Sequence, residues 1–154
     1  MSNSINIDIT NLLQQTNDLN NFYCDMIDNF FMQRIGERID YNSMLDKLCD
    51  LTTHLNILLE ENDKFQKLTL NDTVSDQILL ILKNYQDNLK KSIVQFTHIV
   101  KCLYQKSEGT GRYTIFKYNA DQKALKRLEQ QRTNIGNILQ VNAVPYMANA
   151  RRTM

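Results

Sequence analysis

An all-α protein is predicted, laid out as an elongated antiparallel helical hairpin or coiled-coil bundle of three long helices with a shorter fourth helix at the C-terminal end. Three observations carry this. The 154 residues include four Gly and one Pro, too few for the turns of a sandwich or barrel, which need residues able to take positive φ or pre-set a bend. Apolar residues recur at spacings of three and four along most of the chain. Two such runs keep a heptad and are separated by only a few residues, the pattern of a helical hairpin. One domain is expected, with a helical bundle over 1–106, an extended loop over 107–120, a C-terminal helix over 121–142 and a mobile tail over 143–154.

The first helix is predicted from about Ile9 to Ile35, where Leu12, Leu19, Phe22, Tyr23, Met26, Ile27, Phe30 and Phe31 form one stripe. Its adjoining Phe30 and Phe31 widen that stripe, so this end should pack on more than one neighbour. Gly36 marks either the first break or a kink in a helix reaching Asp40. A second helix starts at Asn42 or Ser43, both able to accept from the free N–H groups of a first turn, and Asp46 completes a box-like start. Its seam is Met44, Leu48, Leu51, Leu55, Leu58, Asn62 and Phe65, where the single Asn62 can fix register.

Asn71 or Asp72 caps a third helix running to about Lys106, with the seam Ile78, Leu82, Tyr85, Leu89, Ser92, Phe96, Ile99 and Leu103. At the helical rise this element is roughly 50 Å long. Glu108-Gly109-Thr110-Gly111 stops it, and Arg112–Tyr118 alternates β-branched and aromatic residues with no second strand to pair with. That segment reads as an extended loop, either lying on the helices or ordering on a partner. A weaker fourth helix begins at Asp121, with Leu125, Leu128, Ile135 and Ile138 or Leu139 on one side and Lys123, Lys126, Arg127 and Arg132 elsewhere, and Pro145 ends it.

Charge is unevenly spread. Residues 1–76 carry five basic and thirteen acidic side chains, net −8, whereas 77–154 carry thirteen basic and four acidic, net +9. The halves either neutralise each other in an antiparallel fold or address different partners. The longest apolar run, Ile78–Leu82, is far short of a bilayer span of roughly 20 residues, so no membrane insertion is expected. Met1–Thr10 has no basic segment leading into an apolar core, and Cys24, Cys49 and Cys102 are odd in number and widely spaced. A cytoplasmic protein with reduced thiols is expected.

No chemistry-bearing constellation stands out. In a hairpin turning near Leu70, residue i lies opposite about 140 − i, which sets His98 beside Asn42 and Cys102 beside Arg38, away from Cys49 and His54. No metal site, cofactor or catalytic residue is therefore expected, and no Cys has a neighbouring arrangement that would activate it. Glu60 and Glu61 lie on a solvated face. The basic and aromatic cluster of Lys101, Lys106, Arg112, Lys117, Lys123, Lys126 and Arg127 with Tyr104, Tyr113, Phe116 and Tyr118 suits either a nucleic acid or an acidic or amphipathic protein segment. The acidic half argues for protein over nucleic acid.

An N-terminal amphipathic helix, a long helical hairpin, a third helix carrying Asn84-Tyr85-Gln86-Asp87-Asn88-Leu89 and a following Tyr118-Asn119-Ala120-Asp121 together resemble the FlgN-type flagellar export chaperones. Gln122 stands where that family usually has Gly, and many members lack a formed fourth helix. The resemblance implies binding rather than catalysis. It implies a cytosolic chaperone or adaptor that holds the C-terminal helix of a hook-associated protein and delivers it to the cytosolic domain of the export gate. Phe96, Ile99, Val100, Leu103, Leu125, Leu128, Ile135 and Leu139 would contact that helix, and Tyr118 would dock the gate. The alternatives are a structural coiled-coil protein self-assembling through the Met44–Phe65 seam, for instance as a homodimer, and, less favoured, a nucleic-acid-binding helical protein.

Overall fold

The computed structural model describes residues 2–32 and 39–152. They form four helices, α1 (Ser2–Met32), α2 (Tyr41–Leu68), α3 (Thr73–Ser107) and α4 (Ile115–Arg152), and among the described residues there is no strand. The break expected at Gly36 lies outside the described residues.

Helix starts follow capping chemistry. Asp40 Oδ1 accepts from Ser43 N at 3.0 Å and opens α2 slightly before the Asn42 or Ser43 start expected from sequence. A carboxylate there also meets the positive end of the helix dipole. Asp72, one of the two predicted caps, accepts from Ser75 N at 3.3 Å and opens α3. At the far end of α3, Gly109 takes a φ of 74°, the left-handed conformation that ends many helices.

The chain runs up, down, up, down. α2 and α3 pair as the expected antiparallel hairpin, near the expected register, with Asn62 reaching the main-chain oxygen of Leu79 and Asp63 reaching Lys83. α1 runs parallel to α3, since Thr16 meets Gln86 and Tyr23 meets Ser92, and antiparallel to α4, since Asn6 meets Tyr146 and Asn20 meets Arg132. α1 and α3 each touch all three other helices, whereas among the described residues the backbones of α2 and α4 do not approach each other. The facing seams of α1 and α3 are therefore the centre of the core.

That core follows the predicted heptads. Leu48, Leu51, Leu55, Leu58 and Asn62 of α2 are buried against Ile78, Leu82, Leu89, Ser92, Phe96 and Ile99 of α3, with Ile9, Leu12, Leu19, Tyr23, Met26, Ile27 and Phe30 of α1 closing over them. Phe30 and Phe31 both pack on Phe96, with ring centroids 5.2 and 5.9 Å away, which accounts for the wide end of the α1 stripe. The predicted α2 seam is thus consumed inside the chain and offers no face for self-assembly. Phe22, placed on the α1 stripe by spacing, is instead more than half exposed.

Two expectations about the C-terminal third are corrected. The fourth helix is the longest element, 38 residues, and begins at Ile115, inside the segment read as an extended loop. Thr114 accounts for this, since its Oγ1 accepts from Lys117 N and its carbonyl from Tyr118 N, so the β-branched run starts a helix while Tyr113 packs inward. The helix also continues through Pro145 into the segment read as a mobile tail. Ala143 and Tyr146 are buried on either side of the proline, and the Tyr146 hydroxyl donates to Asn6 Oδ1 at 2.6 Å and accepts from Ser75 Oγ at 3.2 Å. Tertiary anchoring outweighs the missing N–H.

Candidate docking surface

α4 lies against α1 and α3 with few buried apolar side chains. It buries Leu125, Ala143 and Tyr146, together with Arg132, and leaves Ile138, Val141 and Val144 exposed at three-residue spacing on one side. Val141 is 75% exposed. Next to this stripe a crevice runs between α1 and α4. Its apolar end, a cavity of about 340 Å³, is lined by Leu13 of α1, Leu82 of α3, and Leu139, Ala143, Val144 and Met147 of α4. Its polar end, about 410 Å³, is lined by Asn20, Cys24, Asp28, Glu129, Arg132 and Asn137. Tyr85 of α3 and Gly136 of α4 belong to both ends. A Cβ at Gly136 would stand 3.2 Å from Tyr85 Cε2, so the glycine is what lets the tyrosine edge approach the α4 backbone.

The residues assigned to a partner helix by resemblance fall into three groups. Phe96, Ile99 and Val100 are fully buried, and Leu125 is 2% exposed. These four are corrected to core residues, because Phe96 is enclosed by Tyr23, Phe30 and Phe31 and all four belong to one continuous apolar cluster. Leu103, Leu128 and Ile135 are part-buried and do not line the crevice. Leu139 alone of the eight lines it. Tyr118 is part-buried, its hydroxyl accepting from Gln122 Nε2 at 2.9 Å and its ring edge-on to Tyr113 at 5.9 Å.

Arg132, which helical spacing sets off the apolar side of α4, is 4% exposed. Its Nε donates to Asn20 Oδ1 at 2.8 Å, its Nη1 to Asn88 Oδ1 at 3.3 Å, and its guanidinium lies 5.7 Å from the centre of the Tyr23 ring. Neutral acceptors from α1 and α3 thus hold α4 through one forked cation. Burial pushes the Tyr23 hydroxyl, the Cys24 thiol and the nearby Glu129 carboxyl above their usual ranges, and Arg132 partly opposes each shift. A lone Arg on a weak helical pattern carries no signal of this, because its acceptors come from helices 44 and 112 residues away in sequence.

At the opposite end of α4, His98 and Cys102 do share a face, but they face α4 rather than the Asn42 side of α2. His98 Nε2 lies 3.1 Å from Asp121 Oδ2, and the Tyr113 hydroxyl donates to the same oxygen at 2.7 Å. Cys102 Sγ sits 3.8 Å from both ring nitrogens rather than aligned with one, and burial raises its thiol pKa, so the sulfur is not activated. Among the described residues no group of three or more His, Cys, Asp or Glu side chains is placed to hold a metal ion, and no helix is long and apolar enough to cross a membrane.

Comparison with protein-family models, with curated proteins and with solved structures finds no match to this chain.

Proposed function

We propose that this chain is a helix-binding chaperone or adaptor of the FlgN type, which holds an amphipathic helix of an exported flagellar protein and hands it to an export gate. The observation that supports the reading is the unpartnered stripe Ile138–Val141–Val144 beside the apolar crevice of Leu13, Leu139 and Met147. An amphipathic helix laid along α4 would cover the stripe and seat one or two apolar side chains in the crevice. The docking residues are then Leu139 and its exposed neighbours, in place of Phe96, Ile99, Val100 and Leu125. Tyr118 remains the candidate for the gate contact by its match to the family segment.

A photo-crosslinking side chain at Val141 tests this in cytosol, with the same group at Val94, an exposed α3 position, as the control. The reading expects a helical flagellar export substrate crosslinked from Val141 only, and lost in Val144→Asp while the far-UV signal is kept. Equal capture from both positions, or capture unaffected by Val144→Asp, would sink it.

A further inference from the structure

The basic and aromatic cluster singled out in the sequence is not absorbed by the docking surface, and its side chains divide sharply in the fold. Tyr113 is buried, Tyr104 and Tyr118 are part-buried, and each ring packs on another tyrosine. Phe116 and its neighbour Ile115, in the first turn of α4, are instead 82% and 68% exposed. This apolar pair sits at the α3–α4 turn, at one pole of the bundle, flanked in sequence by exposed Arg112 and Lys117, with Lys101 and Lys106 exposed on the last turns of α3 and Lys123 further along α4. Arg112 and Lys117 also line the rim of a cavity of about 370 Å³, whose wall includes Tyr113, His98 and the Asp121 carboxylate that those two side chains hold. Of the acids in this region, Asp121 is engaged by His98 and Tyr113, leaving Glu108 as the free one among residues 101–123.

A base-stacking surface needs several open rings, and here one of four is open. Two adjoining exposed apolar side chains flanked by exposed Arg and Lys are what a peripheral anchor on an anionic bilayer requires, the apolar pair entering the headgroup–acyl boundary and the cations meeting lipid phosphates. We propose that the α3–α4 turn docks this protein on an anionic phospholipid surface, with Phe116 and Ile115 as the wedge and Arg112 and Lys117 as the principal headgroup contacts. Such docking is peripheral and involves no spanning segment. It is independent of the partner-helix contact, which uses the other end of α4, and shares this end with Tyr118, the proposed gate contact.

The chain has no Trp, so Phe116→Trp supplies a single reporter at a position where the fold is not at stake. The full chain with this substitution is mixed with vesicles of phosphatidylcholine alone or with about a third phosphatidylserine. Expected are a blue shift and co-sedimentation with the anionic vesicles only, both lost at high salt. Ile115→Ser with Phe116→Ser should weaken partitioning about tenfold or more, by removing buried apolar area, and Arg112→Glu with Lys117→Glu should abolish it, with unchanged far-UV spectra throughout. No binding to anionic vesicles at low salt would overturn the proposal. So would binding indifferent to the serine pair, which would reduce the contact to diffuse charge. Tighter binding of a single-stranded oligonucleotide that protects Phe116→Trp from quenching would assign the pole to nucleic acid instead.

Discussion

The side-chain amide of Asn62 on α2 donates to the main-chain oxygen of Leu79 on α3 across 3.0 Å, and its second N–H reaches Gln86 Oε1 at 3.2 Å. Gln86 Nε2 in turn donates to Thr16 Oγ1 on α1 at 3.0 Å. One buried polar layer therefore ties three helices at a single level, and all its members are satisfied. A slip of the hairpin would strand them.

Asn62→Ala is accordingly expected to cost about 1–3 kcal/mol, since Gln86 loses a buried partner. The adjacent Asp63→Ala breaks an ion pair whose side chains are 53% and 40% exposed, and should cost less than about 1 kcal/mol. Urea midpoints of the two variants, measured side by side, check the contrast. Equal midpoints would mean that the polar layer contributes no more than the exposed ion pair.

Arg132→Met should lower stability by about 1–3 kcal/mol by leaving the oxygens of Asn20 and Asn88 without their donor. Arg132→Lys should not restore it, because an ammonium cannot reproduce the fork. Hydrogen exchange locates the effect, with protection falling along α4 and unchanged in α2, whose described backbone does not approach that of α4. A uniform loss across all helices would instead mean that α4 unfolds only with the whole bundle.

Glu129 faces the polar end of the crevice, and burial raises its carboxyl pKa despite the opposing charges of Arg132 and Lys126. A raised folded pKa means that the native state holds the proton more tightly than the unfolded chain. The cost of ionising this group is therefore absent below the unfolded value, about pH 4.3, and is felt as pH rises through the folded value. Glu129→Gln should raise the melting temperature at pH 7 and lose that advantage near about pH 4. The same gain at both pH values would assign the effect to packing rather than to charge.

The helical class, both heptad seams, the Asp72 cap and the place of Asn62 on the buried seam are legible because each depends on residues close together in sequence or on one repeated spacing. Arg132 and Tyr146 are not. Both lie on a helix of weak periodicity, and their partners Asn20, Asn88, Asn6 and Ser75 sit on other helices. The partner residues proposed from resemblance failed at Phe96, Ile99, Val100 and Leu125 for the converse reason, since an apolar heptad marks burial without saying whether the covering surface is the chain's own. The segregated charge of the sequence fits either internal pairing or separate partners. Between side chains of the described residues, Lys83–Asp63 is the one Lys or Arg ion pair, so the basic and acidic faces are left largely open to solvent.

Pro145 offers the sharpest test of how α4 is held. Inside a helix a proline deletes the bond to the carbonyl four residues earlier and is unfavourable by about 3 kcal/mol. That carbonyl belongs to Val141, whose side chain is 75% exposed, so water can serve the freed oxygen and the cost here should be smaller. Pro145→Ala is expected to stabilise by about 1 kcal/mol or more by restoring the bond, whereas Tyr146→Phe should destabilise by about 1–2 kcal/mol through loss of the Asn6 and Ser75 contacts. Thermal unfolding of both variants decides it. If Pro145→Ala instead destabilises, the proline must be bending α4 toward α1, and the width of the crevice, with partner binding, should change in the same variant.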